Sequence, residues 1–175
     1  ISLTAEALST AQSASPELPP GTSVSSVASC ASAVAGATEL ATGCDLVYVS
    51  DDAKIGYPAV RFGTPDMQYH AWVMGMRAAL EAMLTGDALS GEEAVRVGFA
   101  NRVFPAAELE ARVLEIAQRV AKVPADVLQI NKRTVHRAME IMGMRTAIRE
   151  GTELCALAMH TESFQAFLRE REAGL

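Results

Sequence analysis

Lysine and arginine are missing from the opening of the chain: none precedes Lys54, whereas six acidic residues do. From Lys54 onward fifteen basic residues balance fifteen acidic ones, and the net charge is −6. No basic face is available for nucleic acid. A small anionic ligand is not excluded, because helix termini and a few local cations hold phosphate without a positive protein. Cysteine is sparse too. Cys30, Cys44 and Cys155 form an odd set without metal-type pairing, which predicts reduced thiols in a cytoplasmic protein and no disulfide framework. His70, His136 and His160 are widely separated and share no ligand pattern, so no metal is expected. No apolar run approaches the roughly 20 residues that span a bilayer, which argues against a membrane helix. The first stretch lacks both the basic start and the continuous apolar core of a signal peptide.

What is present suits one globular domain. The chain has 175 residues, half of them apolar, enough to bury about two-thirds of the extended-chain surface. Residues 1–35 hold twelve Ser or Thr, eight Ala, and Pro16, Pro19 and Pro20. Leu3, Ala7 and Ala11 repeat at helical spacing and predict a short helix over 1–14. Residues 16–32 read as loop with weak strand tendency. Beyond them a short helix is expected over 37–43, a strand over 45–49 and an extended segment over 53–56. Asp66 is placed to cap a helix over 67–84, whose Trp72, Met76, Ala79 and Met83 form an apolar stripe interrupted at Gly75. Ser90 and Glu93 make a capping-box pattern, followed by a strand over 99–104. The rest is helical: a stripe of Leu109, Val113, Ile116 and Val120, a helix opened by Pro124 and stopped near Gly143, and two more to the end. Early short strands before a helix-rich second half make the fold class α/β.

Gly36 to Asp45 (Gly-Ala-Thr-Glu-Leu-Ala-Thr-Gly-Cys-Asp) is the stretch with the most chemistry. Gly36 lets backbone approach a ligand, and the following residues open a helix whose unpaired amides point at negative charge. Glu39 falls in the first turn. Amide and carboxylate together fit a site that polarises an oxygen while a proton or water is moved. A capped helix start with an acid favouring the helix dipole explains the same residues.

Three stretches in order carry a family resemblance. Ala33-Val34-Ala35-Gly36-Ala37-Thr38-Glu39-Leu40-Ala41 with Cys44-Asp45-Leu46 comes first, then Ala53-Lys54-Ile55-Gly56-Tyr57-Pro58. The third runs from Leu84-Thr85-Gly86-Asp87-Ala88-Leu89-Ser90 through Glu93-Ala94 to Gly98-Phe99-Ala100-Asn101-Arg102-Val103-Phe104-Pro105. From about Ala33 onward the chain resembles the enoyl-CoA hydratase/isomerase (crotonase) superfamily. The resemblance implies a partial crotonase-like ββα superhelix followed by a helical C-terminal region. It divides the chain into an atypical Ser/Ala/Pro-rich segment (1–32), a crotonase-like core (33–105) and a helical oligomerisation region (106–175). It further implies an acyl-CoA thioester as partner, no cofactor beyond the CoA of the substrate, and a homotrimer or dimer of trimers.

The same resemblance assigns roles. Gly36 matches the second of two amides that hold the thioester enolate; no loop before Ala33 matches the first. Glu39 matches the first catalytic carboxylate of the hydratases, which orients or deprotonates water. Ala59 stands where hydratases carry a second carboxylate just after the proline, and a methyl group transfers no proton. Asp66 falls near an acid that isomerases place farther along this loop, a role that competes with capping the helix. Tyr57 is a candidate to line the acyl pocket or donate a hydrogen bond; Trp72 lies on a helix from which the family often builds the pocket wall, although core packing also explains it. Lys132 matches a lysine of the C-terminal helices that approaches CoA, sometimes from a neighbouring subunit; as an isolated residue it reads as a solvated helix charge. The implied activity is hydration of an enoyl-CoA, with isomerisation through Asp66 or catalytically inactive acyl-CoA binding as alternatives.

Overall fold

A computed structural model describes residues 27–30, 33–34, 36–61 and 69–174. The helix expected over 1–14 and the acid at Asp66 lie outside these residues. Two small sheets are built by the same step repeated. Strand β1 (Val27–Cys30) and β2 (Ala33–Val34) precede helix α1 (Gly36–Thr42); β3 (Leu46–Ser50) and β4 (Lys54–Gly56) follow it. β3 lies parallel to β1, with Val27 opposite Leu46, and β4 lies parallel to β2, with Val34 opposite Gly56. Each circuit of the chain thus lays one strand on each sheet, as a ββα superhelix requires. Helix α2 (His70–Thr85), β5 (Leu89–Ser90), α3 (Gly91–Arg96) and β6 (Arg102–Phe104) complete this part. β6 extends the first sheet beside β3, and β5 closes the second antiparallel to β4.

Alternation along β3 separates two cores. Val47 and Val49 enter one cluster with Ile55, Met74, Ala82 and Phe99. Tyr48, on the opposite face, joins Leu109, Val113 and Ile116 of α4 (Leu109–Val120). Each such buried aliphatic contributes about 1.5–3 kcal/mol. Beyond α4 come α5 (Ala125–Ile141), α6 (Met144–Ala158) and α7 (Glu162–Glu172). All three are amphipathic in sequence, and none contains a buried residue.

Several expectations need correction. β1 occupies part of the stretch read as loop, because pairing with β3 supplies hydrogen bonds that local propensity does not announce. The α2 helix begins at His70, with Tyr69 rather than Asp66 at its N-cap and no side-chain cap bond. Where a loop or brief strand is expected over 58–63, residues 58–61 form a 3₁₀ turn. The strand expected over 99–104 shrinks to Arg102–Phe104, since Phe99 and Ala100 are drawn into the core. The capping box forms as written: Ser90 Oγ accepts from the Glu93 amide at 3.2 Å and Glu93 accepts from the Ser90 amide at 2.9 Å.

Candidate functional site

The parallel pairing of Val34 with Gly56 brings two chain ends side by side. Gly36 and Pro58 each lie two residues past that pair, so α1 and the 3₁₀ turn start from the same edge. A bond from the Thr38 hydroxyl to the Gly56 carbonyl, 3.2 Å long and buried, ties them together. This edge therefore gathers Gly36, Glu39, Tyr57 and Ala59. Gly36 is exposed, and no atom of the other described residues lies within 4 Å of where a Cβ would stand, its chain neighbours and own helix aside. Glu39 is half-buried one turn along, and its carbonyl accepts a 2.6 Å bond from the Thr42 hydroxyl. Ala59 is half-buried in the 3₁₀ turn.

Tyr57 is almost fully buried, at 2 % exposure, and its ring meets His70 edge-on with centroids 4.6 Å apart. Its hydroxyl has no hydrogen-bond partner among the described residues. Trp72 is half-buried in the first turn of α2. Gly75 interrupts that helix with φ 74° and ψ 160°.

Lys132 is not brought to this edge. Its ammonium donates to Asp45 at 2.8 Å, and His136, one turn later on α5, lies 3.2 Å from the other oxygen of the same carboxylate. Asp45 follows the C-terminal end of α1, about 10 Å from the Gly36 end for a helix of seven residues. The cluster borders an open cavity of about 630 Å³ between the core and α5–α6, walled by Val73, Leu128, Val135, Met139 and Ile148. On its rim Glu140 bonds to Arg145 at 2.6 Å and Arg137 at 3.2 Å; the Arg145 guanidinium first, then Arg137, holds its carboxyl below the usual range. The Asp45 cluster was missed in the sequence, although Lys132 and His136 sit four apart on one helix face.

Among the described residues no three His, Cys, Asp or Glu side chains are grouped to hold a metal, and no helix is long and apolar enough to cross a membrane. The arrangement can polarise an oxygen at Gly36 and offer a carboxylate nearby.

Comparison with known proteins identifies the family of the chain. A family model described as "Enoyl-CoA hydratase/isomerase" matches residues 24–174, nine residues earlier than the motifs suggested. A putative enoyl-CoA hydratase of Mycobacterium tuberculosis is 36 % identical over 112 residues, which are 62 % of this chain and 35 % of that protein. The mitochondrial enoyl-CoA hydratase domain-containing protein 3 of Mus musculus is 28 % identical over 148 residues, 80 % of this chain and 49 % of that protein. A crystal structure of an enoyl-CoA hydratase from Mycobacterium smegmatis superposes with a TM-score of 0.81 at 30 % identity, covering 85 % of this chain and 52 % of that one. The chain spans half or less of the length of these two curated relatives. With the family model running over nearly its whole length, this chain belongs to the enoyl-CoA hydratase/isomerase family.

Proposed function

We propose that the chain acts on fatty acyl-CoA thioesters by stabilising an enolate, with hydration of an enoyl-CoA as the principal reaction. The observation that carries this reading is the start of α1 at the exposed Gly36 with Glu39 in its first turn. The Gly36 amide donates to the thioester oxygen as negative charge develops there, and Glu39 orients or deprotonates the attacking water. Tyr57 and Trp72 line the acyl side. CoA belongs to the substrate, and the chemistry needs no other cofactor.

Ala59 supplies no second acid for hydration. That residue supports an alternative in which the chain binds acyl-CoA with little turnover. An isomerase using Glu39 and Asp66 is the nearer alternative, since isomerisation needs only proton removal and return. Lys132 is the weakest of the CoA contacts, because its ammonium is engaged by Asp45. The exposed Ile130, Val135, Leu154 and Leu157 on α5 and α6 support assembly with further copies; the family resemblance suggests a trimer or dimer of trimers, and the sparse cysteines a cytoplasmic setting.

Crotonyl-CoA tests hydration through loss of the conjugated thioester absorbance, and a 3-enoyl-CoA tests isomerisation. Glu39→Gln is expected to lower either rate at least about 100-fold with thioester binding retained. Ala59→Glu is expected to raise hydration. Binding without turnover of either substrate, unchanged by Ala59→Glu, favours the inactive reading; absence of thioester binding removes the acyl-CoA assignment altogether.

A further inference from the structure

Helix α1 carries both groups of the proposed reaction and is too short to hold its own shape. Its seven residues fall below the roughly 12–15 that an isolated helix needs in water, so its place is set by what it packs against. The side chain buried from its first turn is Thr38, at 0 % exposure. Valine has nearly the same shape and no polar group to satisfy, so a buried threonine here calls for a reason. Its hydroxyl donates to the Gly56 carbonyl at 3.2 Å. Gly56 is held from two sides: it pairs with Val34 in the sheet, and a Cβ on it would stand 3.1 Å from the Ala88 Cα. The bond therefore anchors α1 to a fixed point outside the helix. Thr42, the other threonine of α1, differs, because its hydroxyl bonds to the Glu39 carbonyl within the same helix.

We propose that Thr38 is a positioning residue of the site, acting through Gly36 and Glu39, which flank it on the same turn. The proposal rests on the enolate chemistry proposed above. An amide and a carboxylate lower a barrier most when they are held in place before charge develops. Gly36 is exposed and Glu39 half-buried, so neither anchors the turn by its own burial. The Thr38 hydroxyl supplies that anchor. Its loss lets the turn shift against the sheet edge, which slows the chemical step. A CoA thioester is far larger than one helical turn and still binds.

The test removes the hydroxyl in two independent pairs and reads kcat and KM separately, with whichever of crotonyl-CoA and a 3-enoyl-CoA the wild-type protein turns over. Thr38→Val is compared with wild type, and Thr38→Ala with Thr38→Ser, each well below the variant's own thermal midpoint. Should one pair fail to fold, the other still decides. Each hydroxyl-free member is expected to lose about tenfold in kcat against its counterpart while KM stays within about twofold. Thr38→Ser, which keeps the donor, is expected to stay within about threefold of wild-type kcat. A merely structural residue moves the thermal midpoint without this split. Equal kcat within either pair, or a loss confined to KM, overturns the positioning role and leaves the acyl-CoA assignment standing. Wild-type protein that retains butyryl-CoA in equilibrium dialysis but turns over neither substrate overturns the positioning role together with the enolate chemistry. Failure to retain the thioester at all overturns the acyl-CoA assignment as well.

Discussion

The strand-bearing part of the molecule and its last three helices solve the burial problem in opposite ways. From β3 to α4 the apolar periodicity of the sequence is cashed within the chain: Val49 and Ala94 are wholly buried, and Tyr48 seats against Leu109 and Val113. In α5, α6 and α7 the same kind of periodicity leaves no residue buried. Ile130, Ile141 and Leu157 remain more than 60 % exposed. An amphipathic helix gains its stability chiefly from burying its apolar face. The difference teaches that equal sequence periodicity does not mean equal burial in one copy.

The sharpest way to break this contrast is at Gly91. A Cβ there would stand 2.3 Å from the Ser50 carbonyl oxygen and 3.0 Å from Val103, so α3 sits against β3 at a distance only glycine permits. Gly91→Ala must push a backbone carbonyl or the whole helix aside, and a loss of about 3 kcal/mol in unfolding free energy is expected by denaturant titration. A loss below about 0.5 kcal/mol would mean that the core is not closely packed there. The prediction concerns the strand-bearing part only; Gly143, between α5 and α6, has no such neighbour among the described residues.

The next effect lies where the two regions join. Lys132 and His136 clasp Asp45, and the Asp45 and Lys132 side chains are only 15 % and 19 % exposed. Removing one member of a largely buried pair leaves the other charge uncompensated. Asp45→Asn is expected to cost about 2 kcal/mol, discounted for the remaining solvent contact. Because the clasp joins α5 to the turn before β3, the same variant should quicken hydrogen exchange in α5 more than in β3. Equal quickening in both would show that the helices and the strands open as one unit.

How far this division was legible beforehand depends on the kind of interaction. Helix signals were readable wherever a local rule decides them: Ser90 with Glu93 forms the box, and Gly75 breaks α2. The β1 strand was not readable, because a Ser- and Ala-rich segment becomes a strand only when β3 pairs with it. At the candidate site, family motifs pointed to Gly36, Glu39 and Ala59, and strand register brings their segments to one edge. The engagement of Lys132 by Asp45 spans 87 positions, and no spacing rule reaches that far. Burial is equally non-local. Leu109 and Leu157 are alike as letters in helical stripes, yet one meets Tyr48 and the other meets solvent.

A charge on the exposed helical faces separates stability from association. Ile130→Glu and Leu157→Glu remove no buried contact within the chain, so each is expected to move unfolding of the dilute protein by less than about 0.5 kcal/mol. If the faces meet other copies, the same substitutions lower the sedimentation coefficient to that of one chain. A large stability loss at low concentration would instead place these residues in an internal core.

The smallest expected effect belongs to the capping box, and its sign follows from linkage. The Ser90 backbone amide, then the Ser90 hydroxyl and Arg96, hold the Glu93 carboxyl below its ordinary value against a lesser opposing effect of burial. A carboxyl whose folded pKa is depressed adds stability that is fully present above its unfolded pKa, about 4.3. That contribution fades as pH falls through the lower, folded value. Wild-type protein should therefore lose more stability between neutral pH and pH about 3 than Glu93→Gln does. The glutamine keeps an acceptor for the Ser90 amide but carries no charge to titrate. Parallel pH profiles for the two proteins would show that this carboxylate, exposed at the surface of the strand-bearing part, is screened by water too well to register.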